Sequence, residues 1–162
     1  VGVVTNSLAA NDVPAVHSGY ERYRRQLLDG GVGLFEIRRH GPVATRGLFG
    51  SSGASLHTKA FVIDGARGFV GSFNLDPRSA NLNTEMGVLF DDASLARDLR
   101  QEYLRLAEPA LSYQLRRGAD GSPQWLDRSV QPPEVLDHEP DAGWWLRTVT
   151  RVISWLPIES QL

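Results

Sequence analysis

The chain has no cysteine, so no disulfide braces it and sulfur gives no clue to its redox compartment. It has no run of 18 apolar residues and no signal-peptide pattern, so none of its segments reads as a spanning helix. Lysine is nearly missing: Lys59 is the only one, and every other basic side chain apart from the histidines is arginine. Net charge is small, −2 at pH 7, so bulk electrostatics do not point to nucleic acid. No internal repeat is present. His-x-Lys occurs once, at His57 and Lys59, because His17, His40 and His138 have no lysine two residues on. The motif also lacks the carboxylate cluster that a metal would need, so the site reads as metal-independent and without a cofactor.

What remains is an ordinary globular composition. The 162 residues are 41% hydrophobic, one domain's worth of chain with enough apolar surface for a sizeable core. Residues 1–5 read as a buried strand. Asn11 or Asp12 caps a helix over 14–28, with Val16, Tyr20, Tyr23 and Leu27 inward at helical spacing and Gly30-Gly31 ending it. Residues 32–37 return as a second strand, completing a β-α-β unit. A Gly- and Ser-rich loop over 38–53 suits a rim or lid. Further on lie a strand over 84–90, a helix over 93–107 with Leu95, Leu99, Tyr103 and Leu106 inward, and a short hairpin of 112–116 with 124–127. Asp91 and Asp92 suit the start of that helix. Alternating strands and helices predict an α/β fold, a mixed β-sheet flanked by helices. Asn6 and Ser7 end the first strand, where either a substrate contact or a turn and cap role fits. His17 reads as a structural histidine. The arginines, among them Arg22, Arg24, Arg25, Arg38, Arg39 and Arg46, read mostly as a solvated face.

The most informative stretch is 55–74. Residues 55–63 alternate as a strand, with His57, Lys59, Phe61 and Ile63 on one face. Asp64 to Arg67 reads as a turn, with Asp64 stabilising it and Gly65 supplying positive φ. If Asp64 closes opposite Arg67, Lys59 falls opposite Ser72 and His57 opposite Asn74. One phosphate would then reach all four. The residue types fit that task. A histidine attacks phosphorus or protonates a leaving oxygen. A lysine offsets charge on non-bridging oxygens. Ser72 and Asn74 donate neutral hydrogen bonds, and Gly71 permits close backbone approach. A lone His-x-Lys would be no more than an amphipathic hairpin facing solvent. The unbroken spacing His-x-Lys-x4-Asp-x6-Gly-Ser-x-Asn argues for chemistry.

His57, Lys59, Asp64, Gly71, Ser72 and Asn74 resemble the His-Lys-Asp (HKD) signature of the phospholipase D superfamily. The continuation Asn74-Leu75-Asp76-Pro77-Arg78-Ser79, then Asn83-Thr84-Glu85, is similar to the bacterial cardiolipin synthase branch, and the resemblance runs over nearly the whole chain. It implies a phospholipase D-like α/β sandwich and phosphatidyl transfer on phospholipid phosphodiesters through a phosphohistidine. By the same resemblance Glu85 orients the His57 ring, whereas the residue-level alternative for Glu85 is an exposed strand carboxylate. Such enzymes carry two motifs and this chain has one. The resemblance therefore implies the C-terminal half of a longer enzyme, with the second motif upstream, or a homodimer. Residues 1–130 would be the catalytic half-domain and 131–162 a tail. Alternatives are a phospholipase D or nuclease that hydrolyses the diester, or a non-catalytic lipid-binding half.

The tail carries Trp144, Trp145, Val149, Val152, Ile153, Trp155 and Leu156 as an apolar stripe, with Arg147 and Arg151 at its edge. It suits a helix lying in a membrane surface or one packed on its own domain. With the family resemblance, the first reading implies a peripheral protein on the cytoplasmic side of a bacterial inner membrane.

Overall fold

The computed structural model describes residues 1–11, 14–39, 56–74 and 77–154. The chain divides into two units, one built from Val1–Leu56 with Leu106–Pro157, the other centred on His57–Arg105. In the first, β1 (Gly2–Asn6) and β2 (Gly33–Ile37) pair in parallel, Gly2 beside Gly33 and Asn6 beside Ile37. A parallel pair needs a crossover, and α1 (Pro14–Glu21) and α2 (Arg24–Asp29) supply it. This is the β-α-β unit that the sequence predicts, with β1 half-buried along most of its length.

The single helix expected over 14–28 is broken at residues 22–23. Tyr23 ends up 51% exposed, not inward, and Arg24 is buried in its place, 1% exposed. The Gly30 N–H bonds the Gln26 carbonyl at 2.9 Å to close α2, and Gly31 turns the chain at φ 73°. β6 (Ser112–Arg117), β7 (Pro123–Asp127) and β8 (Glu134–Leu136) then add antiparallel strands in the order β1-β2-β6-β7-β8. Leu34, Tyr113, Leu115 and Trp125 form the core, with Val3, Leu27 and Leu136 packed against it. The sheet is mixed and flanked by helices, the α/β class read from the sequence.

A cluster of buried charge lies in this unit. The Arg24 guanidinium sits 5.0 Å from the Tyr20 ring and 5.2 Å from the Trp125 ring. Its Nε donates to Glu36 Oε1 at 2.8 Å, and its terminal nitrogens meet Glu139 and, at 2.8 Å, His17 Nε2. Trp125 Nε1 and the Tyr20 hydroxyl also donate to Glu36, at 2.8 and 3.1 Å. Burial pushes the Glu36 carboxyl up against the pull of Arg24. Burial opposes ionisation of Glu139 too, but His17 and Arg24 outweigh it and hold that carboxyl below the usual range. His17, 1% exposed, is the packed histidine that was expected. Arg24 corrects the solvated-face reading, as does Arg38, whose side chain is 11% exposed against Asp127. Arg22, Arg25 and Arg39 do face solvent.

α5 (Trp144–Ser154) packs on α1, with Thr150 2% exposed. The helix thus divides along its length, because Trp144 and Trp145 at its start are 71% and 65% exposed. Among the described residues no helix is long and apolar enough to cross a membrane.

The second unit is a three-stranded antiparallel sheet, β3 (Lys59–Ile63), β4 (Arg67–Gly71) and β5 (Gly87–Asp91), with α3 (Pro77–Asn81) and α4 (Ala93–Leu106). The hairpin of His57 and Lys59 therefore belongs to a sheet of its own. Asp92 caps α4, its Oδ1 accepting from the Ser94 and Leu95 N–H groups at 2.7 and 3.0 Å. Leu95 is 41% exposed and Ala96 takes the buried place beside it, while Leu99, Tyr103 and Leu106 are half-buried on the expected face. Asp12, His40, Arg46, Trp155, Leu156 and nearly all of the loop over 38–53 lie outside the described residues.

Candidate active site

The hairpin does not close where the spacing alone placed it. Ile63, not Asp64, pairs with Arg67, so Lys59 lies opposite Gly71 and the ladder ends there. The turn chemistry explains the one-residue difference. A two-residue hairpin turn of type I′ needs positive φ at both central residues. The expected closure would ask this of Gly65 and Ala66, and alanine resists it. In the structure Asp64 and Gly65 take it, at φ 52° and 67°, and the Ala66 N–H bonds the Ile63 carbonyl at 3.2 Å. Asp64 therefore shapes the turn, through its backbone as well as by its place beside Gly65. The slip removes Ser72 and Asn74 from the positions opposite Lys59 and His57.

Gly71 serves the strands. It pairs with Gly87 on β5, and the Phe69 ring covers both. A Cβ at Gly71 would fall 2.5 Å from the Met86 carbonyl and 2.7 Å from Gly87 Cα. Phe69 stacks on Phe61 across the hairpin, ring centroids 5.7 Å apart. Lys59 stands at the end of this aromatic row, half-buried, while His57 just before the ladder is exposed and Asn74 half-buried.

Ser72 and Glu85 come together. Ser72 Oγ donates to Glu85 Oε2 at 2.6 Å and accepts from the Met86 N–H at 3.1 Å. The Ser72 N–H bonds the Met86 carbonyl at 2.9 Å. A hydroxyl has one proton, and here the carboxylate takes it. Ser79 Oγ and Asn83 Nδ2 donate to the other oxygen, Oε1, at 3.0 and 3.3 Å. The Ser72 bond does most to hold the Glu85 carboxyl below its usual range; desolvation opposes it, and Ser79, Asn83 and the Lys59 charge add smaller pulls downward. Among the described residues no hydrogen bond joins Glu85 to the His57 ring. Glu85 is thus more than an exposed strand carboxylate. Ser79 and Asn83 stand in the stretch that carries the family resemblance but had no site role from the sequence, although a hydroxyl and an amide at six and two residues before a candidate orienting carboxylate were the available signal.

Asn6 and Ser7 take the turn and cap role. The Asn6 amide pairs both ways with the backbone of Leu56, at 2.9 and 2.7 Å. Ser7 Oγ accepts from the Ala10 N–H at 3.3 Å, capping a 3-10 turn over Leu8–Ala10. Among the described residues no group of three His, Asp or Glu side chains converges as metal ligands would.

The family described as cardiolipin synthase, PLD-like domain, matches residues 1–107. Cardiolipin synthase C of Escherichia coli (strain K12) is 43% identical over 163 residues, covering 98% of this chain and 34% of that protein. An uncharacterized protein of Helicobacter pylori (strain J99 / ATCC 700824) is 43% identical over 162 residues, 97% of this chain and 31% of its own length. Cardiolipin synthase A of Proteus mirabilis (strain HI4320) is 36% identical over 90 residues, 56% of this chain and 16% of that protein. The chain spans about a third of the length of the first two relatives. No solved structure matches it.

Proposed function

The chain belongs to the family of cardiolipin synthase, PLD-like domains, and from that premise we propose that it forms one half of a phosphatidyltransferase site. The substrates are phospholipid phosphodiesters, and the product is cardiolipin or a related diphosphatidyl lipid. His57 is one of two histidines at the complete site. One attacks phosphorus and takes the phosphatidyl group as a phosphohistidine, while the other protonates the departing alcohol oxygen. An acceptor alcohol, such as a phosphatidylglycerol headgroup, then gives its proton to that second histidine and displaces the first from phosphorus. Water as acceptor makes the same sequence a hydrolysis. Lys59 offsets charge on the non-bridging oxygens, Asn74 donates to them, and Glu85 orients His57. Ser72 joins the phosphate only by releasing Glu85. The site needs no metal or cofactor.

The observation that carries this reading is the placement of Lys59. It follows His57 by two residues, ends the ladder opposite a glycine, and lies near enough to the Glu85 carboxylate to lower its pKa. The second histidine comes from a half-domain in the length that the relatives have beyond this chain, or from a second copy. The protein acts at the cytoplasmic face of the bacterial inner membrane as a peripheral protein, with the exposed pair Trp144 and Trp145 entering the headgroup layer. In the active enzyme His57→Ala should lower lipid transfer by more than the roughly 10²–10⁴-fold that acid–base work supplies. Transfer within about tenfold of wild type would sink the assignment.

A further inference from the structure

We propose that Ser79 is a positioning residue of this site: together with Ser72 it clamps the Glu85 carboxylate in one orientation beside Lys59. The role rests on the reading of His57, Lys59 and Glu85 given above. Three segments meet at the carboxylate, namely the residue after β4, the helix α3, and the approach to β5. Each carboxylate oxygen has its own hydroxyl donor, Ser72 on Oε2 at 2.6 Å and Ser79 on Oε1 at 3.0 Å. One donor would fix a distance and leave the group free to turn about its terminal bond. Two donors on two oxygens fix the plane as well. Asn83 Nδ2 completes the arrangement, at 3.3 Å from Oε1 and 3.5 Å from Ser79 Oγ.

Ser79 is the buried member, 4% exposed, so water does not replace its hydroxyl at low cost. All three donors are neutral, so they leave the full negative charge of Glu85 for a cationic N–H. A carboxylate offers about four acceptor sites. Ser79 and Asn83 fill Oε1, and Ser72 takes one of the two on Oε2. The remaining site suits an imidazole N–H or the Lys59 ammonium. The hydrogen bonds also favour the ionised form of Glu85, consistent with its lowered pKa.

A simple loop staple would hold the same residues together without affecting chemistry, and the test separates the two. In Ser79→Ala, the Glu85 side-chain carboxyl, followed by carbon-detected NMR on the 162-residue chain, should titrate higher than in wild type. In the lipid-transfer assay on active enzyme the same substitution should lower kcat by about tenfold to a hundredfold with KM little changed. Ser79→Thr, which keeps the hydroxyl, should recover both. In a Glu85→Gln background Ser79→Ala should lower kcat no further, because the two act as a unit. An unmoved Glu85 titration in folded Ser79→Ala would overturn the clamp, and an unmoved kcat would overturn its part in the reaction. Near-normal turnover by His57→Ala would instead overturn the underlying site, while the Glu85 titration still judges the clamp.

Discussion

Arg38 shows how much one side chain can hold. Its guanidinium lies 3.8 Å above the Tyr113 ring and donates to both oxygens of Asp127, Nη1 to Oδ2 at 3.0 Å and Nη2 to Oδ1 at 2.5 Å. Burial alone would raise the Asp127 carboxyl, but Arg38 and Ser129 outweigh it and bring the group down to about 2. A depressed carboxyl stabilises the fold fully above its unfolded value, about 3.9, and loses that contribution as pH falls through the folded value. Arg38→Met should therefore lose about 1.5–3 kcal/mol at pH 7, and the gap to wild type should narrow towards pH 2. Denaturant melts at several pH values check this, and a gap independent of pH would refute it. Arg24 is a stronger case. It is buried with Glu36 and Glu139, and removing it leaves two carboxylates without their cation, a loss on the order of 3–5 kcal/mol.

Elements were more legible in the sequence than the contacts between them. Strand and helix periodicity located the β-α-β unit, the hairpin of β6 and β7, and α4 to within one or two residues. Periodicity assigns faces, however, not the residue at which a turn closes. The register of β3 and β4 depended on Asp64 tolerating positive φ better than Ala66, a preference that alternation cannot express. The clamp on Glu85 was hidden because its donors come from three segments. Arg24 was hidden because His17, Tyr20 and Arg24 share a helical spacing that also describes an apolar stripe. α5 was ambiguous between a membrane helix and a packed one, and the structure packs it on α1 while leaving Trp144 and Trp145 exposed. Trp144→Ala with Trp145→Ala should therefore weaken binding to anionic vesicles by at least about tenfold and leave the melting temperature unchanged. Vesicle co-sedimentation beside a thermal melt measures both. Loss of the cooperative melt would place the two rings in the core. Truncation from Gly143 tests this less cleanly, because it also strips the buried Thr150 side from α1.

At the scale of the whole molecule, the proposed two-step displacement asks one group to attack phosphorus and another to protonate the leaving oxygen, and one His-x-Lys would supply only one of them. The 162-residue chain as a proven monomer should be nearly inactive. Activity should appear with a complementary half, or with dimerisation that brings two copies of His57 together across a two-fold axis. Turnover measured across concentration, with molecular mass followed in parallel, decides this, and robust monomer turnover would show that one motif suffices. The chain order of the large sheet carries a further consequence. β2 and β6 are neighbours, Ile37 beside Ser112, although the whole three-stranded unit lies between them in sequence. The motif unit is therefore a cassette spliced into a host fold, and the host must close a long loop before its central strand pair forms. Loop closure grows costlier with length, if slowly, and distant pairings slow folding. Replacing residues 57–105 with a short Gly/Ser linker should give a host that melts cooperatively and refolds faster than the full chain, with Trp125 fluorescence as the probe. The Arg24 pairs with Glu36 and Glu139 lie wholly within the host, so they should survive the removal.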